Sequence, residues 1–354
     1  MSETFPVETL RAFSNGVFTA AGLSTEDAAT VTDCLIHADL RGHASHGLTR
    51  IPIYAERLHR GVVNARPEVK ITRTAPSFLA VDGDNGPGPV VSLKAMDAAI
   101  ATAKTQGVAA ASIRASNHNG PGSYYVERAV AADCIAIAMT NAPPSMAVFG
   151  GRDPVIGTNP ITFGTPVMGD SPVLLDMATS VVARGKIVEA AKRGETIPEG
   201  WALDRDGRPT TDGVAAEKGV VLPMSGPKGS ALAIMVEVLA GVLAGGRFAG
   251  SMGNLYKDFE LTQDNGHFFL VIDAARGAAG AAHAERVAAL VGELKASALA
   301  SGHEAVLMPG EIETMRAARG GEAGIGLPAN VVADLDAIAK TVGAPALDAV
   351  RDVA

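Results

Sequence analysis

The 354 residues carry a net charge of -8, with 47% hydrophobic, 19% charged and only 4% aromatic side chains. This balance excludes a disordered chain and predicts cores built from small residues whose backbones approach closely. With no Lys/Arg run longer than Lys192-Arg193, it lacks the concentrated basic face that nucleic acid requires.

The length fits about two domains. Cys34 and Cys134, each beside apolar residues, indicate neither a disulfide framework nor a metal cluster, and the expectation for metal is none. The start "MSETFPVETL" lacks the basic, apolar opening of an export signal, so the expected compartment is cytoplasmic.

Residues 5 to 40 place apolar groups at helical spacing. Ser24 is a good N-cap for "TEDAATVTDCLIHADL", with Glu26 and Asp27 in the first turn, where the helix dipole favours acids. "YAERLHRG" predicts a helix ending near Gly61. From Val69 the texture changes: "VKITRT", "SFLAVDG" and "AAASIRAS" read as short strands closed by Gly/Pro turns. Between them "VSLKAMDAAIATAKTQG" is an amphipathic helix with a glycine just past its end.

"DCIAIAMT", "NPITFGTP" and "SPVLLDMATS" continue the strands, and "VVARGKIVEAAKRG" is a helix. "WALDRDGRPTTD" is a hairpin or an ordered loop around Asp206-Gly207. "SALAIMVEVLAGVLAGG", 230–246, carries Glu237 and is shorter than the ~20 residues of a membrane span; it reads as a buried helix. "GHFFLVIDAA" and "HEAVLMPGE" read as late strands, and helices are expected at 284–300 and 329–352.

Among chemical motifs the familiar templates are absent. "GPGPVV" and "GPGSYY" fail the dinucleotide fingerprint G-x-G-x-x-G at the last glycine. "GIGLPA" meets a looser form, but Gly324 to Pro328 does not read as a strand. Two places suit an anion: Lys228 and Gly229 at the entry of a long apolar helix, and Thr179-Ser180 at another helix start, where the first amides lack internal partners. Plain helix entry and capping account for each equally simply.

The stretch "RGHASHGLTRIPIYAERL", 41–58, is the richest. Ser45 and His46 are adjacent, so on a helix they face about 100° apart, a poor basis for a serine hydrolase. His46, Arg50 and Tyr54 at i, i+4, i+8 form one helical stripe, with Pro52 in a first turn or at a kink. Imidazole, guanidinium and phenol together suit a small carboxylate; a solvated surface helix explains them as well. His118, in the glycine-flexed loop "SNHNGPG", is a candidate acid/base.

Taken in order, "DLRGHASHGLTRIPIYAERL", "SNHNGPGSYY", "GTNPITF", "LLDMATSVVARGKI", "GPKGSALAIMVEVLAG" and "MPGE" resemble the malate/L-lactate/sulfolactate/ureidoglycolate dehydrogenase family, non-Rossmann nicotinamide oxidoreductases. The resemblance implies an α/β (α+β) fold. A mixed β-sheet domain at 67–311 would hold the cofactor, and 1–66 with 312–354 would form a helical domain. It implies NAD or NADP, with NAD the first choice, and a homodimer with its site near the subunit interface. No membrane or nucleic-acid partner is expected.

Carried over by position, His118 is the acid/base and His46 a proton donor beside Ser45. Arg50 grips the substrate carboxylate, with Tyr54, Thr158 and Arg184 completing the substrate side. Asn119, Gly120, Gly122, Asp176, Met177, Ala178, Thr179, Lys228, Gly229, Pro309, Gly310 and Glu311 line the cofactor. The chain is read as interconverting a 2-hydroxy acid and its 2-oxo acid, with His118 taking the hydroxyl proton and His46 polarising the same oxygen; His46 as the principal base is the competing assignment. A second branch reduces cyclic imine 2-carboxylates and carries an Asp where this chain has Lys186, completing a Ser-His-Asp relay. Lys186 and Tyr124-Tyr125 favour the hydroxy-acid branch. Ala44, where Asp is frequent, and Ser123, where glycine is usual, depart from the pattern.

Overall fold

A computed structural model describes residues 2–351. Its centre is a seven-stranded mixed sheet. In chain order the strands are β1 (Lys70–Ala75), β2 (Phe78–Asp82), β3 (Val108–Ser116), β4 (Cys134–Thr140), β5 (Ile161–Thr165), β6 (Val173–Met177) and β7 (Asn265–Asp273). Their spatial order is β1-β2-β3-β7-β4-β5-β6. Only β2 and β3 run parallel, from Phe78 opposite Ala110 to Asp82 opposite Arg114. They are joined by the crossover helix Gly88–Gln106, which ends at Gly107 with φ +88°. That positive φ carries no steric cost in glycine.

Small residues let the layers close. On one face Val91, Ala95, Ala99 and Ala103 of the crossover helix pack with Ala109, Ala111, Ala136, Phe269 and Val271 of the sheet. Val236 and Ala240 cover Met139 and Phe268 on the other. A third cluster, around Ile187, Ile197 and Ala216, supports a small three-stranded sheet in which Ala202 pairs with Thr210 across the Asp206-Gly207 hairpin.

The N-terminal helices Val7–Ala20, Thr25–Leu40 and Ile51–His59 share one apolar core with Ile325, Leu327, Leu335, Ile338 and Leu347 from the other end of the chain. Phe13 and Phe18 are buried there, each contributing roughly 2 kcal/mol by removal from water. Ser24 accepts the Asp27 N–H at 3.0 Å, as its position predicts.

Four expectations change. Ile325–Pro328, not read as a strand, pairs antiparallel with Ser2–Phe5; a partner more than 300 residues away leaves no local periodicity to detect. The expected strand over 303–311 is a loop. Pro309 has no N–H to offer a ladder, and the loop touches the sheet edge through its carbonyl, which accepts the Leu174 N–H at 2.9 Å. The tail helix breaks into Ala329–Val342 and Leu347–Arg351 at Gly343, φ +81°.

The supposedly buried helix is Pro227–Val236 continuing into a wider π-helical turn, Glu237–Val242. It leaves Ile234, Val238, Val242 and Leu243 exposed. The exposed apolar residues recur at four-residue spacing, so one stripe faces the sheet and another faces away. Within the described residues no helix is long and apolar enough to cross a membrane.

Candidate active site

The site begins where β3 stops being regular. Arg114 and Ala115 lie opposite the single Gly266, a β-bulge, and Ala115 adopts φ +49°. A bulge bends its strand and re-aims the residues beyond it. The chain then leaves the sheet as the loop 117–122. Asn117 Nδ2 anchors it by donating to Gly86 O at 2.9 Å, and Gln263 Oε1 accepts the His118 N–H at 3.2 Å.

His118 Nδ1 meets two donors: the Gly120 N–H at 3.2 Å and the Tyr54 hydroxyl at 2.5 Å. A backbone amide can only donate. Nδ1 therefore accepts, and the neutral ring carries its hydrogen on Nε2. Burial first, then the Arg50 charge and the neighbouring His46 and His267, hold this imidazole well below its ordinary pKa.

The opposite wall is the stretch 41–58. It is not one helix: 3₁₀ turns at Ala44–His46 and Leu48–Arg50 precede Ile51–His59, with Pro52 in the first turn. Adjacent residues diverge by about 120° in a 3₁₀ turn, so the backbone does not bring Ser45 and His46 together. Their side chains meet nonetheless, with Ser45 Oγ 3.0 Å from His46 Nδ1. The His46 ring centroid is 5.4 Å from that of His118, and burial, with Arg50 and His43 as lesser causes, lowers its pKa to about 3.

Asp39, which the sequence reading passed over, shapes this turn. Its Oδ2 accepts the Leu48 N–H at 2.6 Å, and a Cβ at position 47 would stand 2.1 Å from that oxygen, so only glycine fits there. Burial raises Asp39 to about 6.

Arg50 donates from Nε to Ser45 O at 2.6 Å, while its buried Nη1 has no acceptor. Its guanidinium lies 5.4 Å from the Tyr256 ring centroid. A buried cationic donor without a partner is costly, and a planar carboxylate is the group that satisfies it best. Tyr54 is buried and committed to His118, so it positions the imidazole rather than presenting a free hydroxyl.

The expected cofactor residues divide into two groups. Asp176 accepts from the Ser123 N–H and from Thr162 Oγ1, both at 2.9 Å, and a Cβ on Gly122 would lie 2.0 Å from Thr162 Oγ1. Asp176 lines a cleft of about 370 Å³ with Arg41, His43, Ser123, Leu174 and residues 307–310. A Cβ on Gly310 would stand 2.8 Å from Leu174 Cβ, so glycine lets this loop lie against the strand. Glu311 instead accepts the Met308 N–H at 3.0 Å and pairs with Lys295, closing the loop on itself.

The second group surrounds Thr179, buried with its hydroxyl on Thr158 O at 2.9 Å. The Met224 N–H reaches Thr179 O, and the Gly229 N–H reaches Met224 O. Lys228 is exposed, as is Arg184, which donates to Glu217 O at 3.2 Å. Among the described residues no hydrogen bond or ion pair joins Thr158, Arg184 or Lys228 to the His46–Arg50–His118 group. The sequence reading also missed Gln263 and Tyr256, polar and aromatic residues of an irregular loop with no periodicity to single them out.

Comparison with known proteins identifies the family. L-sulfolactate dehydrogenase of Methanocaldococcus jannaschii is 41% identical over 293 residues, 82% of this chain and 84% of that protein. The solved sulfolactate dehydrogenase structure from the same organism superposes with a TM-score of 0.92, at 36% identity, covering 98% of this chain and 99% of that one. Ureidoglycolate dehydrogenase (NAD(+)) of Escherichia coli K12 is 36% identical, covering 90% of each chain. (2R)-3-sulfolactate dehydrogenase (NADP(+)) of Chromohalobacter salexigens is 39% identical, covering 72% of this chain and 77% of that protein. The malate/L-lactate dehydrogenase profile matches residues 5–336; the chain belongs to that family.

Proposed function

We propose that the chain is a nicotinamide-dependent dehydrogenase that interconverts a small 2-hydroxy acid and its 2-oxo acid at the His46–Arg50–His118 cluster. The observation that carries this reading is the dry, unpartnered Nη1 of Arg50 beside two neutral imidazoles. The cleft bounded by Asp176, Arg41, His43 and Gly310 fits part of a dinucleotide: the Arg41 guanidinium, which also pairs with Glu127, for phosphate, and a glycine where a Cβ would collide. Both NAD(+) and NADP(+) occur among the named relatives; NAD is the cofactor we favour. When bound, the nicotinamide supplies the acceptor for the hydride leaving the substrate's C2.

The chain's own residues do the rest. Arg50 holds the carboxylate. The C2 hydroxyl lies between the imidazoles, and its proton passes to His46 Nε2 as C2 loses its hydride and becomes the 2-oxo carbon. His46 Nδ1–H then donates to Ser45 Oγ, whose exposure gives the proton a route to water. His118 Nε2–H donates to the same substrate oxygen as charge develops on it, the stabilisation of a fixed donor in a water-poor site. The two histidines thus exchange the roles their family positions imply, because Gly120 and Tyr54 occupy His118 Nδ1. The incoming carboxylate offsets the Arg50 charge that weakens His46 as a base.

Among the described residues no carboxylate of this chain joins Ser45 or His46, and Lys186 is exposed. This favours hydroxy-acid oxidation over imine reduction. The exposed stripe Ile234, Val238 and Val242 supports a homodimer, which a monomeric mass in sedimentation would refute. The direct test is absorbance at 340 nm with 2-hydroxy acids and each oxidised cofactor. Turnover with at least one pair is expected, and none across the panel would sink the reading.

A further inference from the structure

Residues 254–263 form a strap without regular secondary structure, yet they are held in place from the N-terminal helices. Arg57, 1% exposed, sends Nη1 to Leu255 O at 3.2 Å and to Asp258 O at 2.5 Å, and Nη2 to Leu261 O at 3.3 Å. Its guanidinium is 5.8 Å from the Phe259 ring centroid, and that of Arg60 is 4.4 Å from it. Within the strap Asn254 Oδ1 accepts the N–H groups of Tyr256 at 2.9 Å and Lys257 at 3.1 Å. The strap reaches the site at both ends: Tyr256 over Arg50 and Gln263 on the His118 amide.

We propose that Tyr256 is a specificity-determining residue that forms the wall against the group beyond C2 of the substrate, and that Arg57 is its positioning residue. This rests on the hydroxy-acid reading of the same site. The tetrahedral C2 has four directions. The carboxylate is taken by Arg50, the oxygen by the imidazoles, and the hydrogen must face the cofactor. The remaining substituent points away from these groups, and the aromatic ring beside Arg50, its centroid 5.4 Å from the guanidinium carbon, is that of Tyr256.

The Tyr256 ring also makes a cation–π contact with Arg50, which favours the charged guanidinium beside the pocket. The side chain is 57% exposed, and its hydroxyl makes no hydrogen bond among the described residues, so it is free to donate to a polar distal group. Arg57 holds the strap through carbonyls that lysine could not span as a fork.

Calorimetric titration with NADH present, using L-malate and L-lactate, tests this without turnover, since cofactor and acid are both reduced. A hydrogen bond to the charged distal carboxylate is worth about 10-fold, the lower end for a charged acceptor because the ring is half exposed. Tyr256→Phe is expected to lower the malate-to-lactate affinity ratio by that factor. Arg57→Met should lower the malate-to-lactate affinity ratio in the same sense, and the double variant should add nothing further to it.

An unchanged ratio in Tyr256→Phe overturns the proposal; should Arg57→Met fail to fold, that variant alone decides. Wild-type protein that binds neither acid overturns it together with the Arg50 clamp. Normal discrimination in binding, with no oxidation of any acid in the absorbance assay, would break the dehydrogenase reading and leave Tyr256 standing.

Discussion

His46 and His118 bring one kind of side chain to one place and are wired in opposite ways. Nδ1 of His46 faces a serine hydroxyl, which both donates and accepts, so its proton is free to sit on either nitrogen. Nδ1 of His118 faces an amide N–H and a buried phenol, so its tautomer is decided by the backbone. Burial makes both rings neutral at physiological pH. The neighbours of the far nitrogen, rather than the residue type, separate an acceptor from a donor.

The strongest way to break that contrast is to remove each ring in turn. His46→Ala should lower the rate of oxidation by about 10²–10⁴-fold and abolish the acid limb of its pH profile. That limb should lie below the ordinary imidazole range, since burial and then the Arg50 charge depress His46. His118→Ala should cost about 10²–10³-fold and keep the limb. The reverse pattern in stopped-flow pH profiles would restore His118 as the proton acceptor.

A smaller effect sharpens the tautomer itself. Tyr54→Phe removes one of the two donors to His118 Nδ1, with an expected loss of about 3–10-fold. Nitrogen chemical shifts of the wild-type ring should report a hydrogen on Nε2; a signal for Nδ1–H would discredit the wiring.

The smallest effect concerns a third imidazole. His267, buried between Thr140 Oγ1 at 2.7 Å and Ser116 Oγ at 2.9 Å, is lowered to about 3 by burial. Its unfolded form binds a proton first as pH falls. Its contribution to stability is therefore full above about 6.5 and declines from there toward 3. Between pH 7 and 5 this imidazole should lower Tm by roughly 2–4 °C, a slope that calorimetry should find flattened in His267→Gln.

Much of the site was legible in residue order. Arg50, His46, His118 and Asp176 belong to short stretches whose composition is unusual enough to be recognised, and the alternating and helical periods marked most strands and helices. Most of what was hidden shares one property: the partner is remote in sequence. Gln263 on the His118 amide, Tyr256 over Arg50 and the Ser2–Phe5 pairing with Ile325–Pro328 leave no local pattern. The Ser45–His46 contact was hidden because the angle between neighbouring residues fixes where their side chains start, not which rotamers they take.

By itself the sequence determined the family, through its resemblance to known relatives, together with most of the elements in their order and the presence of a cation and two imidazoles suited to a carboxylate. The elements come from spacing, a property of neighbours along the chain. Only the tertiary structure decided which nitrogen of His118 carries hydrogen, that Arg50 keeps an unpartnered edge, and that Tyr256 lies beside it. Each of those depends on a donor, acceptor or ring delivered from another segment, and on the burial that makes an unmade hydrogen bond costly.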